Sequence, residues 1–261
     1  MISVKLKLKG MQQFMRGTVD FKEGIVGING DQITVDKLPF DIPLSGTVYG
    51  TILNYKGAYE TLKTSMHKEP YKEPPKAPIL YIKPANTLIS SDAVIPLPED
   101  ISELEMGAAL GVVIGTQATK IAEDEAFDYV FGYTVVNDVS IPHESVYRPA
   151  VKEKARDGFC PAGPWIIERE AVKNPDELNI YVYINGQLKQ ENNTSNLIRP
   201  IGKLLADVTA FMTLYEGDTL LVGIPENAPL ASVNDHVQIE IEGVGKLQNT
   251  IKSEKNLLGG L

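Results

Sequence analysis

GYTVVNDVSIPHESVYRPAVKEKARDGFCPAGPW, residues 132–165, decides how the rest of this chain is read. The apolar run Tyr133 to Val136 ends in Asn137-Asp138, which places a carboxylate at the end of a strand. Lys154 and Asp157 follow. Next comes a Gly/Pro-rich segment, Pro161 to Pro164, that reads as a rigid turn between the only cysteine, Cys160, and the only tryptophan, Trp165. Carboxylate, ammonium, carboxylate and fixed backbone are what a site for an anionic oxo-acid needs. The bland alternative is a loop carrying solvated surface charges.

Outward from this stretch the hydrophobic period is mostly two. Ile2, Val4, Leu6 and Leu8 alternate with Ser3, Lys5, Lys7 and Lys9, the pattern of a half-buried strand. Gly27 to Val35 reads as a hairpin closed at Asn29-Gly30, because a type I′ turn needs positive φ at both central residues. A second Asn-Gly, at 185–186, follows the alternating Leu178, Ile180, Val182 and Ile184; Val237, Ile239 and Ile241 repeat the pattern. Helical spacing is clear once, in the stripe Ile201, Leu204, Leu205, Val208, Phe211 and Met212, and a shorter helix is predicted over Glu123 to Tyr129. The proline-rich run Glu69 to Pro78 reads as an extended loop. The fold class predicted is therefore α+β and β-dominated, a twisted mixed β-roll or sandwich with few helices. Pro43 makes a joint between a small N-terminal β segment, residues 1–43, and a core domain, residues 44–261.

Composition excludes several roles. A chain of 261 residues with 43% hydrophobic and 23% charged residues has an ordinary globular balance and ample interior for a core. The net charge of -9 argues against nucleic acid and anionic membrane as partners, since both call for a basic footprint. No apolar stretch approaches the roughly 20 residues of a membrane span. The single cysteine cannot form an internal disulfide, and no signal-peptide core follows Met1, so the cytoplasm is the expected compartment.

Four ordered blocks carry a resemblance. They are the 132–165 stretch, with its NDVS, E-S-x-YRPA and K-x-RDGFCP-x-G elements; EPYKEPPKAPILYIKPANTLI (Glu69 to Ile89), with its KP-x-NT; VVIGTQATKI (Val112 to Ile121); and GIPENAPLASVNDHVQIEIEGVGKLQNTI (Gly223 to Ile251). Together they resemble the fumarylacetoacetate hydrolase family, and within it the first half of two-half isomerase/decarboxylases. The resemblance implies that family's β-rich fold. It also implies a divalent cation held by two glutamates in E-x-E on one strand and an aspartate on the next, where residues i and i+2 face the same side. Such a cation suits oxygen ligands and stabilises the enolate of a 2-oxo acid. Asp138 matches the metal-binding aspartate and Lys154 the active-site lysine.

The chain departs from that pattern at several positions. Gly107 and Ala109 stand where the two glutamates are expected, Ala58 and Thr61 stand at the lid histidine and its glutamate partner, and Ile224 replaces the threonine of a G-T-P turn. Glu103 and Glu105 have the E-x-E spacing but begin four residues early, roughly 13 Å along a strand. No tightly bound metal is therefore expected, with at most weak Mg²⁺ or Mn²⁺ at Asp138. The catalytic candidates are Lys154, Asp138 and His143, the last beside Glu144. Tyr147, Arg148, Arg156 and Asp157 are candidates for holding the substrate, since an arginine offers a carboxylate two parallel donors. Cys160 is weighed as a nucleophile and read as core packing; His67 and His236 are read as surface residues.

The resemblance implies an isomerase/decarboxylase, or a subunit of one, acting on an unsaturated oxo-di- or tricarboxylate from aromatic catabolism, of the 2-hydroxyhepta-2,4-diene-1,7-dioate or 5-oxopent-3-ene-1,2,5-tricarboxylate type. One alternative is a metal-deficient partner subunit beside a homologue bearing E-x-E. Another is a stand-alone metal-dependent acylpyruvate hydrolase or oxaloacetate-type decarboxylase. A homo-oligomer, or a hetero-oligomer with a homologous subunit, is expected.

Overall fold

The computed structural model describes residues 1–69, 72–143 and 150–258. The alternating N-terminal residues form β1 (Ile2–Leu6), which buries Val4 and Leu6. It is followed by β2 (Met15–Asp20), β3 (Ile25–Ile28) and β4 (Asp31–Thr34). Asn29 and Gly30 have φ of 53° and 94°, as the tight β3–β4 turn requires. The chain continues through β5 (Val48–Ile52), α1 (Lys56–Met66), β6 (Ile79–Lys83), β7 (Leu88–Ile89) and β8 (Val94–Leu97). Next come β9 (Leu104–Glu105), β10 (Ala108–Ile114), β11 (Val130–Asn137), α2 (Val151–Lys154) and β12 (Cys160–Glu168). The hairpin β13 (Asn179–Ile184) and β14 (Gln187–Asn193) turns at Asn185-Gly186, with φ of 52° and 76°. Helix α3 (Ile201–Thr209), β15 (Thr219–Leu221), β16 (Leu230–Ala231), β17 (His236–Ile241), β18 (Gly245–Ser253) and α4 (Glu254–Leu258) complete the described chain.

Among the described residues the large sheet runs β4-β3-β2-β1-β12-β11-β10-β15-β5-β6, with β7 paired to β12. A second sheet, β14-β13-β17-β18-β8, packs its β17–β18 face against β11 and β12. Most pairings are antiparallel, but β15–β5, β12–β7 and β18–β8 are parallel, so both sheets are mixed. The main core lies between the sheets, where Val135, Ile167, Ile239 and Leu247 are all buried. Residues 1–43 continue this architecture, because β1 hydrogen-bonds to β12 in register Val4↔Ile167 to Leu6↔Trp165. No helix among the described residues is long and apolar enough to cross a membrane.

Three local expectations need correction. Pro161 to Pro164 is not a turn but the first half of the internal strand β12. The prolines are tolerated because the ladder is irregular there: Tyr133 pairs with Ile167 but Val135 with Gly163, leaving Pro164 to Ile166 opposite Thr134 alone. The Thr134 hydroxyl then donates to the Trp165 carbonyl at 2.7 Å, and the Trp165 indole N–H donates to the Val244 carbonyl at 2.9 Å. Glu123 to Tyr129 contains only a 3₁₀ turn over Ala126–Tyr129. In the helical stripe, Ile201, Leu204, Leu205 and Val208 are buried, but α3 ends at Thr209 and leaves Phe211 64% exposed.

Asn54, just after β5, ties three segments together. Its buried side-chain amide donates to the carbonyls of Arg199 (3.1 Å) and Val222 (2.8 Å), and its oxygen accepts from the Arg199 N–H (3.0 Å). Asn54→Ala strands all three groups, so a loss of about 2–4 kcal/mol is expected. That corresponds to a melting temperature lowered by roughly 5–15 °C for a chain of this size, measurable by circular dichroism.

Candidate active site

The structure brings Asp138 and Lys154 together, and with them two residues that sequence reasoning did not single out, Tyr81 and Lys83. Asp138 follows the last residue of β11 and has no solvent-exposed side-chain surface. Its Oδ1 lies 2.8 Å from the Lys83 Nζ and its Oδ2 3.1 Å from the Lys154 Nζ. The Tyr81 hydroxyl donates to the same Oδ2. The Lys154 ammonium also lies 5.0 Å from the centre of the Tyr81 ring, within cation–π range.

Each of these side chains is placed by its element. Tyr81 and Lys83 are i and i+2 on β6, so they project from one face of the strand. Tyr81 pairs with Gly50 on β5, and a Cβ at Gly50 would lie 2.0 Å from the phenol ring; glycine is what lets the ring lie across β5 toward Asp138. Lys83 is wholly enclosed; its ammonium forms an ion pair with Asp138 Oδ1 and donates to the Val139 carbonyl at 3.1 Å and the Lys154 carbonyl at 2.7 Å. It fastens β6 to the chain on either side of the site. Lys154 ends α2 and keeps 10% of its side chain exposed; among the described residues its ammonium makes one hydrogen bond, to Asp138.

The electrostatics follow from this enclosure. Burial alone would raise the Asp138 carboxyl, but the Lys154 and Lys83 charges and the hydrogen bonds from Lys83 and Tyr81 outweigh it and hold the carboxyl at about 2. Burial, with the Asp138 charge beside it, pushes the Tyr81 phenol well above its ordinary range, so it stays protonated. Among the described residues two ammonium groups face one carboxylate, leaving one positive charge in excess. The arrangement is set to receive an anion.

The other described candidates make no hydrogen bond to Asp138, Lys154, Lys83 or Tyr81. His143 Nδ1 is 2.9 Å from the Ile141 carbonyl, a contact within its own turn. Asp157 accepts from Asn86 Nδ2 at 2.7 Å, and the Arg156 Nε donates to the Lys152 carbonyl at 3.1 Å. Arg156 and Asp157 line a cleft with Pro96, Pro98, Phe159 and Glu254. Glu144, Tyr147 and Arg148 lie outside the described residues. Cys160 is fully enclosed and burial pushes its thiol up to about 12, which suits packing rather than attack. His67 and His236 are exposed.

The described residues do not fit a divalent cation at Asp138. The Asp138 N–H bonds to the Gly107 carbonyl at 2.8 Å, so position 107 is the cross-strand neighbour of Asp138, where a ligating side chain would project. A Cβ at Gly107 would lie 2.5 Å from the Asp138 carbonyl oxygen and 2.8 Å from the Ile224 Cδ1; that space is already filled. Ala109 has no donor atom, and both Asp138 oxygens are engaged by Lys83, Lys154 and Tyr81. Glu105 accepts from Ser140 Oγ at 2.9 Å instead of reaching Asp138. Among the described residues no group of three or more His, Cys, Asp or Glu could hold a metal ion. On α1, Ala58 carries no polar group and the Thr61 hydroxyl donates to the Gly57 carbonyl at 3.0 Å.

Because the folded-state carboxyl is depressed, its contribution to stability is fully present above the unfolded value of ~3.9 and is lost as pH falls toward about 2. Asp138→Asn leaves two buried ammonium groups without a counter-charge and should cost about 3–5 kcal/mol near neutral pH. In urea titrations the gap between wild type and Asp138→Asn should stay constant down to pH ~4 and narrow below it. A gap that closes at higher pH would contradict the ionised, lysine-flanked Asp138.

Comparison with known proteins follows the same lines. The fumarylacetoacetate (FAA) hydrolase C-terminal domain matches residues 47–252. The 4-hydroxyphenylacetate degradation bifunctional isomerase/decarboxylase of Escherichia coli is 38% identical over 214 residues, covering 82% of this chain and 49% of that protein. The chain thus spans about half the length of this and two other curated isomerase/decarboxylases that it matches. The crystal structure of 5-carboxymethyl-2-hydroxymuconate delta-isomerase from Mycobacterium smegmatis aligns with a TM-score of 0.77 at 25% identity, covering 97% of this chain and 99% of that one. A maleylpyruvate hydrolase from Sphingobium sp. SYK-6, in complex with manganese(II) and pyruvate, shares the fold with a TM-score of 0.76 at 21% identity, covering 96% and 99%. On the extent of the matched domain and the identity to the isomerase/decarboxylase, this chain belongs to the fumarylacetoacetate hydrolase family of enzymes.

Proposed function

We propose that this chain is an isomerase/decarboxylase, or a subunit of one, acting on a small unsaturated oxo-di- or tricarboxylate of the 2-hydroxyhepta-2,4-diene-1,7-dioate or 5-oxopent-3-ene-1,2,5-tricarboxylate type. The observation that carries this reading is the excess ammonium at Asp138, with Lys154 the cation that keeps solvent-facing surface. A substrate carboxylate or enolate oxygen would replace solvent on the Lys154 ammonium and neutralise the site. In so enclosed a setting, an ammonium aimed at a developing enolate stabilises it more than water would. Lys83, through the Lys154 carbonyl, and Asp138, through the ammonium, hold Lys154 in place as the proton donor to the enolate carbon.

In this reading no divalent cation is bound tightly at Asp138, and the electrostatic role falls on Lys154. Calorimetric titration of the purified chain with Mg²⁺ and Mn²⁺ is expected to show no stoichiometric binding. Micromolar binding that disappears in Asp138→Asn would overturn that statement.

Turnover of 2-hydroxyhepta-2,4-diene-1,7-dioate, followed by loss of its ultraviolet absorbance, tests the main reading. Lys154→Met keeps the aliphatic stem and removes the charge, so kcat should fall on the order of 10²–10⁴-fold. A near-normal rate would leave Lys154 without a catalytic role.

The second reading, a subunit that works beside a homologue bearing E-x-E, draws on the match to one half of a longer relative. The partner would be a homologous chain, or a second copy in a homo-oligomer. Activity that appears only when such a homologue is added would favour this reading over a self-sufficient enzyme.

A further inference from the structure

A cavity outside the Asp138 site lies where β2 and its turn to β3 meet β12 and β18, and none of Asp138, Lys154, Lys83 or Tyr81 lines it. It holds about 230 Å³, below the roughly 300 Å³ at which pockets for drug-sized ligands begin, so it suits a single ring or a short chain. Its apolar wall is aromatic. Phe40 and Trp165 are almost wholly buried, with ring centres 5.7 Å apart. Phe21, in the β2–β3 turn, lies 6.2 Å from Trp165 and is 40% exposed, so its ring is the accessible part of that wall. Among the described residues three carboxylates, Asp20, Asp36 and Asp92, line the same space against one ammonium, that of Lys246.

The side-chain donors around this cavity are engaged, and the capacity left over is that of acceptors. Trp165 donates its indole N–H to the Val244 carbonyl at 2.9 Å, Gln248 Nε2 donates to Asp92 Oδ1 at 2.9 Å, and the Lys246 ammonium pairs with Glu240 at 3.0 Å. An anion would meet engaged donors and three carboxylates. Asp20 accepts on Oδ1 from the Lys22 and Glu23 N–H groups, at 3.0 and 3.2 Å, and Asp92 accepts on Oδ1 from Gln248, which leaves acceptor capacity on both Oδ2 atoms. Aromatic faces act in the same direction, since their quadrupoles attract a cation within about 6 Å of the ring centre. We propose that this cavity binds a small organic ammonium ion, a primary amine carried on one ring or a short apolar chain. Its apolar body would lie against Phe21 and Trp165, with the ammonium among the carboxylates of Asp20, Asp36 and Asp92. Such a ligand is opposite in charge to the oxo-acid proposed for Lys154, and its binding does not depend on that assignment.

Trp165 is the only tryptophan, so its fluorescence reports from the cavity wall itself. Titration of the full chain with 2-phenylethylamine, protonated at neutral pH, is expected to give a saturating change in that emission. The anion 3-phenylpropionate, similar in shape, should give none, and neutral 2-phenylethanol should bind at least about fivefold more weakly than the amine. Phe21 and Asp36 are exposed, so Phe21→Ala and Asp36→Asn should fold as the wild type does. Each should raise the dissociation constant of the amine about two- to fivefold. The absence of a saturable response to the amine overturns the proposal. So does an equal response to 3-phenylpropionate or 2-phenylethanol, or an amine affinity unchanged in both variants.

Discussion

A carboxylate shut away from water stays ionised only if positive charge surrounds it, and Asp138 has an ammonium on each oxygen. Much of the architecture around it serves that condition. β6 must lie against β5 for Lys83 to reach Asp138, Gly50 must lack a side chain for Tyr81 to cross, and α2 must end at Lys154 for its ammonium to arrive from the other side. The second lysine does more than balance the carboxylate. Among the described residues it leaves one positive charge more than Asp138 balances, the surplus on which the proposed anion-binding role rests.

The loss of donors at positions 107 and 109 is matched by its surroundings. Gly107 sits directly across from Asp138, and Ile224, in the loop after β15, packs its terminal methyl into the space a side chain at 107 would take. An apolar contact thus fills the space beside Asp138 that a longer side chain at 107 would need.

The period-two patterns and the Asn-Gly turns carried most of the fold, because alternating burial and positive φ are local properties a sequence displays directly. What escaped was non-local. Pro161 and Pro164 sit in an internal strand only because the ladder is irregular opposite Thr134, a partner's property that residues 161–164 do not reveal. Helix α1 begins at Tyr55 without a capping side chain, so nothing at its start marks it. In the site, Asp138 and Lys154 were legible through motif order. Lys83 was visible inside KP-x-NT, yet a lysine on a strand is ordinarily solvated, and its enclosure depends on segments 55 and 71 residues away. Tyr81 shares its strand face and needed only the i, i+2 rule once Lys83 was placed. Arg156 and Asp157 are close to Lys154 in sequence, but α2 ends at Lys154, and both line a cleft with Pro96 and Glu254.

β6 is an edge strand among the described residues, hydrogen-bonded on one side only, to β5, while β10, β11 and β12 are interior. Two of the four site groups ride on that edge, and Lys83 is its fastening to the chain near Asp138 and Lys154. Local opening of an edge costs less than global unfolding. Peeling back β6 would carry Tyr81 and Lys83 away together, admit water to Asp138 and leave the interior strands intact. Opening of that one five-residue strand would therefore dismantle the Asp138 site while the core stays folded.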